Sequence, residues 1–225
     1  MIPFDSEIFR KFCHHVAIAE GGLSKDPNDS AVSCAPFAGA YHTNMGITFC
    51  TWKKNAPLIG ITPTYENFVA MTKQQAESIL YKFYLFATKN GAIKDNAIAL
   101  SVTEAYWGSG GYAYKNLATA LNNLGYKVTS ALSLTAAMIQ GANSVDPKKL
   151  FDAFWDARLE FLQSLPNSNV YLKGWTSRVT SFKNIFRSYA GTIGIIFFGV
   201  LAYYFYRIYR SEEHTSELQS HHDLV

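Results

Sequence analysis

Two carboxyl residues near the start of the chain, Glu20 and Asp29, stand in surroundings that set their acidities apart. Ile8, Phe9, Phe12, Val16 and Ala19 recur at helical spacing before Glu20, with Asp5 or Ser6 available as the N-cap. Gly21 or Gly22 can take the left-handed conformation that ends such a helix. Glu20 then lies in the last turn, at the negative end of the helix dipole and beside a partly apolar face. Both influences disfavour its charged form and raise its pKa. A carboxylic acid that stays protonated near neutral pH is what a general acid needs.

Asp29 follows in the polar loop Lys25-Asp26-Pro27-Asn28-Asp29-Ser30, where solvent and loop amides keep a carboxylate ionised. One neutral and one charged carboxyl group are the working parts of most glycoside hydrolases. The Thr43 and Thr48 hydroxyls can hold a water, and Gly46 admits a close backbone approach to a substrate. From these residues alone, the alternative is a C-capped amphipathic helix followed by a solvated acidic loop.

The order Glu20-Gly21-Gly22, Asp26-Pro27-Asn28-Asp29 and Thr43-Asn44-Met45-Gly46-Ile47-Thr48 resembles glycoside hydrolase family 108. Its members are phage-type N-acetylmuramidases that cleave the glycan strands of peptidoglycan. The resemblance implies a mainly α, lysozyme-like helical domain that acts on bacterial peptidoglycan, with no metal and no organic cofactor. It makes Glu20 the catalytic acid, Asp29 the second carboxylate and Thr43 a water-positioning group, with Asn44, Gly46 and Thr48 on the substrate side. The chain departs from the pattern at Leu23, where the family has an aromatic, and over residues 30–42, which replace a short turn. Tyr41, in that insertion, is a candidate to supply the missing aromatic to the cleft; a plain surface role is the other reading.

A length of 225 residues allows one ample domain, or one domain plus an attachment. A net charge of +3 suits an anionic wall polymer as well as it suits an ordinary soluble domain, and no nucleic-acid partner is expected. The three cysteines, Cys13, Cys34 and Cys50, have no regular spacing, and the N-terminus lacks the pattern of a signal peptide. Reduced thiols are therefore expected. With His14, His15 and His42 these cysteines fit no zinc-ligand spacing.

The positioning elements follow from periodicity. A helix over residues 5–20 leads into the loop, and residues 46–52 are too short for a helix and read as a strand or extended segment. Thr64 caps a helical pattern that runs to Asn90-Gly91, with Thr72-Lys73-Gln74-Gln75 available to divide it. Further helices are expected over residues 94–107 and 112–123, the latter stopping at Gly125. Asp146-Pro147 opens another, with Leu150, Phe151, Phe154, Trp155, Arg158, Phe161 and Leu162 on one face and Pro166 at its end. With these elements in place, the resemblance implies a muramidase region over residues 1–90 and a helical half over residues 91–187. In that half Trp107-Gly108-Ser109-Gly110 and Lys173-Gly174-Trp175-Thr176-Ser177-Arg178 resemble the peptidoglycan-binding-like part of the family. The Asp-Gly-x-x-Gly-Pro segment common there is absent, which favours a structural role. Trp175 is read as a core aromatic, with Arg178 stacked on it or paired with an acid.

Between Arg187 and Arg207 nineteen residues carry no charge, long enough for a helix to cross a bilayer core. Basic residues on both flanks and a tyrosine cluster suit a single C-terminal transmembrane helix over residues 188–207, with the catalytic domain facing the wall. A buried core helix is the rival reading. Residues 211–220 resemble the translation of a DNA-sequencing adapter, so residues 211–225 are set aside as an artefact and the natural C-terminus as lost. Two other functions stay open: a membrane-tethered peptidoglycan-binding protein with an inactive cleft, and a lytic transglycosylase, which needs only the acid.

Overall fold

The computed structural model describes residues 2–20 and 22–192, without the side chains of residues 17–20, 30, 84 and 86. Helix α1 (Glu7–Glu20) begins where the Phe9 N–H donates to the Ser6 hydroxyl at 3.4 Å, which makes Ser6 the cap. It buries Phe9, Phe12, Cys13 and Val16.

The residues after the loop form a small hairpin and three short helices. Strands β1 (Thr43–Asn44) and β2 (Ile47–Thr48) pair antiparallel with Thr43 opposite Thr48. Met45 and Gly46 have φ of 48° and 73°, the two left-handed residues of the tight turn whose twist matches a hairpin. Gly46 is there because its conformation costs a β-carbon-bearing residue far more. The expected extended segment over residues 46–52 is shorter than its sequence suggests. The Thr48 hydroxyl accepts the Thr51 N–H at 3.2 Å and starts α2 (Phe49–Asn55), which buries Phe49 and Trp52. A capped helix overrode a pattern too brief to show periodicity. Thr64 caps α3 (Tyr65–Val69), and a Thr72–Gln75 capping box opens α4 (Lys73–Ile79), so the helical pattern divides at Thr72 as expected. A π-helical stretch, Leu80–Ala87, continues from α4.

The second half is built around α5 (Asn96–Ser109), which is buried on every side from Ala97 to Ala105. A helix apolar all round is a core helix. Packed about it are α6 (Tyr112–Asn123), α8 (Pro147–Gln163) and α9 (Ser168–Phe186), while α7 (Ala136–Ala142) lies against α6. At the α5–α6 corner, a β-carbon on Gly111 would stand 2.3 Å from the Leu132 carbonyl oxygen. The Asp146 carboxylate accepts the Lys149 N–H at 2.9 Å and caps α8, as its Asp-Pro pair predicts. Neither α7 nor the full length of α9 is anticipated in the sequence, because polar residues interrupt both apolar faces.

Met1–Ala190 make one unit with two apolar cores. The larger joins α1, α5, α6, α8 and α9; the smaller gathers Ile47, Phe49, Trp52, Phe68 and Ile79, and Trp107 packs against both. The architecture is mainly helical, consistent with the lysozyme-like domain expected. Among the described residues no helix is long and apolar enough to cross a membrane. At the start of the uncharged run, Arg187–Tyr189 form a 3-10 turn, the Tyr189 hydroxyl accepts from Lys11, Ala190 is buried in the larger core and Gly191 has a φ of 79°, so the expected span does not begin at residue 188. Residues 193–207 lie outside the described residues, as does the adapter-like stretch.

Candidate active site

Glu20 is the last residue of α1, immediately before the glycines. Its side chain and Gly21 lie outside the described residues. The chain then returns to the hairpin. The Ser24 N–H donates to the Thr43 carbonyl at 2.9 Å, and the His42 N–H donates to the Ser24 carbonyl at 3.0 Å. These bonds add Ser24 to the edge of β1 and fix where the loop begins.

Within the loop, one carbonyl gathers the parts. The Asp26 carbonyl oxygen accepts the Asp29 N–H at 3.1 Å and stands 3.1 Å from His42 Nε2. A carbonyl can only accept, so Nε2 carries the proton. In the neutral imidazole that leaves Nδ1 as an acceptor, and the Thr43 hydroxyl, 3.1 Å away, donates to it. The Thr43 oxygen keeps its lone pairs for a water. His42 is 1% exposed, so the arrangement is shielded from competition by solvent. It is the residue the sequence reading missed. Its position directly before Thr43 is the signal; its carbonyl partner, distant in sequence, leaves none.

Asp29 is half-buried, and its Oδ1 accepts the Ala31 N–H at 2.9 Å, capping a 3-10 turn over Ser30–Cys34. Thr43 thus shares a hydrogen-bonded unit with the backbone of Asp29. Thr48 is elsewhere occupied, as the α2 cap and as donor to the Thr51 hydroxyl at 3.1 Å. Asn44 is buried, and its amide donates to the Phe68 carbonyl at 2.8 Å, holding the hairpin against the end of α3. Gly46 forms the turn. Tyr41 stays half-exposed with the Lys25 ammonium 5.5 Å from its ring centre.

The insertion over residues 30–42 is tied down. The Tyr41 N–H donates to the Tyr65 hydroxyl at 2.8 Å, and Phe37 packs edge-on against the Tyr65 ring. Cys34 and Cys50 form a disulfide, which overturns the expectation of reduced thiols. The 3-10 turn brings Cys34 back to the first turn of α2, a path that spacing alone does not reveal. Cys13 remains a buried free thiol, and burial pushes its pKa well up, so it stays protonated and unreactive.

Residues 13–110 match the family model described as Glycosyl hydrolase 108, a stretch that holds Glu20, Asp29, His42 and Thr43. The match supports glycoside hydrolase chemistry for this region. No curated protein matches the chain significantly. Among solved structures, the structure of Brucella abortus SagA superposes with a TM-score of 0.63 at 23% identity. The superposition covers 83% of this chain and 98% of that one, so the shared fold extends well beyond the matched family region.

Proposed function

We propose that the protein is a peptidoglycan hydrolase of the N-acetylmuramidase type, cleaving the β-1,4 bond between N-acetylmuramic acid and N-acetylglucosamine. The observation that carries this reading is the hydrogen-bonded unit of Asp26, His42 and Thr43, set after a helix that ends in Glu20 and inside the glycoside-hydrolase-like region. Glu20, protonated at the end of α1, gives its proton to the leaving glycosidic oxygen as an oxocarbenium-like centre develops. Thr43, its hydroxyl turned toward His42, accepts a hydrogen from the attacking water and orients it. Asp29 stabilises the developing charge or takes the water's proton through the carboxylate oxygen not used in its cap. Tyr41 and the backbone around Gly46 line the substrate side, and Asn44 and Thr48 hold the hairpin that presents them.

The Cys34–Cys50 disulfide suits an oxidising compartment, which is where peptidoglycan lies. The uncharged, tyrosine-rich stretch after Thr192 suits a C-terminal membrane anchor with the catalytic domain facing the wall. Retention of the full chain in membrane pellets after an alkaline wash, lost when the chain is cut after Thr192, is the expected result.

A second reading draws on one observation: the Asp29 carboxylate is already engaged as a cap. A lytic transglycosylase needs the acid alone. Digestion of purified peptidoglycan with mass spectrometry of the products separates the two. New reducing N-acetylmuramic ends are the expected outcome, 1,6-anhydro ends identify the transglycosylase, and both disappear in Glu20→Gln. Lysis that survives Glu20→Gln removes Glu20 as the acid.

A further inference from the structure

A polar cavity of about 280 Å³ lies where α5, α8 and α9 meet, and nothing in the proposed hydrolysis uses it. Glu104 and Ser109 from α5, Arg158 from α8, and Trp175 and Arg178 from α9 line it. Arg178 Nε donates to Glu104 Oε1 at 2.5 Å, a charge-assisted pair in which each group offsets the other. That pair leaves the charge of Arg158 over. Arg158 is only 5% exposed, and its Nε and Nη1 meet no hydrogen-bond partner. Its Nη2 faces the backbone of Gly108, where a β-carbon would stand 3.4 Å away. A neighbouring cavity of about 510 Å³ shares Trp175 and Arg178 as its wall and adds His15, whose buried Nε2 is also without a partner.

A buried guanidinium with open N–H groups is costly to keep unless an anion answers it. The cavity has the matching parts: a net positive charge, an arginine in its lining with two unpartnered donors, and apolar walls from Leu162, Val179 and Trp175. We infer that this cavity is a binding site for a carboxylate carried on a short peptide, with Arg158 receiving the carboxylate and the Trp175 side packing a small side chain. Carboxylate is favoured over a larger dianion because Glu104, 4% exposed on one wall, opposes excess negative charge. Both stretches that set the second half apart in the sequence, Trp107-Gly108-Ser109-Gly110 and Lys173-Gly174-Trp175-Thr176-Ser177-Arg178, contribute to the cavity. Taken with the hydrolase reading, on which the choice of ligand rests, the ligand is the peptide stem of peptidoglycan.

The test is calorimetric titration of the full chain with N-acetylmuramoyl-L-alanyl-D-isoglutamine, which carries one carboxylate, with the same compound amidated at that carboxyl, and with inorganic phosphate. The ligand holds no bond the hydrolase cleaves, so failure of the hydrolase reading in the digestion assay and failure here are separate results. Binding of the acid but not of the amide is expected. Arg158→Gln should weaken it about tenfold or more, as for loss of hydrogen bonds to a charged group. Ser109→Trp should block it while leaving every buried charge in place, which keeps the test valid if Arg158→Gln does not fold. No binding of the acid, equal binding of acid and amide, tighter binding of phosphate, or binding unchanged in Ser109→Trp would each overturn the inference.

Discussion

The imidazole of His42 meets the hydroxyl of Thr43 at 3.1 Å, and the carbonyl on its other side fixes which of them donates. His42 therefore orients the Thr43 hydroxyl, the group that holds the water in the proposed hydrolysis. Glutamine at this site can still donate to the Asp26 carbonyl in place of Nε2, but it cannot hold the Thr43 hydroxyl in the same direction. His42→Gln should keep a melting temperature near that of the wild type and lose roughly tenfold to a hundredfold in hydrolysis rate. His42→Phe should lose about 1–3 kcal/mol of stability as well, since it removes both hydrogen bonds of a buried ring, to the Asp26 carbonyl and to the Thr43 hydroxyl. Thermal unfolding with reducing-end release checks both. Equal rates for wild type and His42→Gln would remove the orienting role.

The Cys34–Cys50 bond joins positions sixteen apart and closes a loop that holds the later part of the insertion, residues 35–42. Closing a loop of that size restrains the unfolded chain and contributes about 3 kcal/mol. Urea unfolding with and without reductant, and of Cys34→Ser, should show that difference; hydrolysis should fall with it, because the bond pins the far end of the segment that Asp29 caps. Unchanged unfolding in reductant would mean that the bond does not form.

Much of this was legible in the sequence, and the gaps have physical causes. The caps at Thr64, Thr72 and Asp146 stood out because capping residues act on the two or three positions after them. The Glu20 end of α1 was visible for the same local reason. The disulfide and the His42 linkage were not, because each joins positions sixteen apart through a fold that has to exist first. Asn44 read as a substrate contact because its type suits one; only the packing of α3 shows its amide committed to Phe68. The buried pair of Glu104 and Arg178 was half visible: an acid partner for the arginine was expected, but not which one.

Arg158 makes a further prediction about stability. The guanidinium is buried with two donors unsatisfied and shares the Glu104 carboxylate with Arg178; a charge so held weakens the fold, and an apolar side chain of similar length relieves it, commonly by about 1–4 kcal/mol. Arg158→Met should raise the melting temperature of the ligand-free chain. A fall would show that the guanidinium serves the packing of α5, α8 and α9.

His15 sits edge-on to the rings of Phe182 and Phe186, at 5.3 and 6.5 Å between centres. Burial, only partly offset by Glu104, holds its pKa below the ordinary histidine value, with Arg178 and His14 pushing the same way as burial. The unfolded chain therefore binds a proton that the folded chain resists, over the range between the lowered folded value and about 6.5. Where the unfolded state binds more protons, stability rises with pH. The contribution of neutral His15 is thus complete above about pH 6.5 and declines as pH falls toward the folded value, below which the loss is constant. His15→Leu should flatten this part of the profile, so that the mutant loses less stability than the wild type between about pH 7 and 5. Urea midpoints measured across that range give the comparison, and parallel profiles would show that the imidazole takes up its proton in the folded state as easily as in the unfolded one.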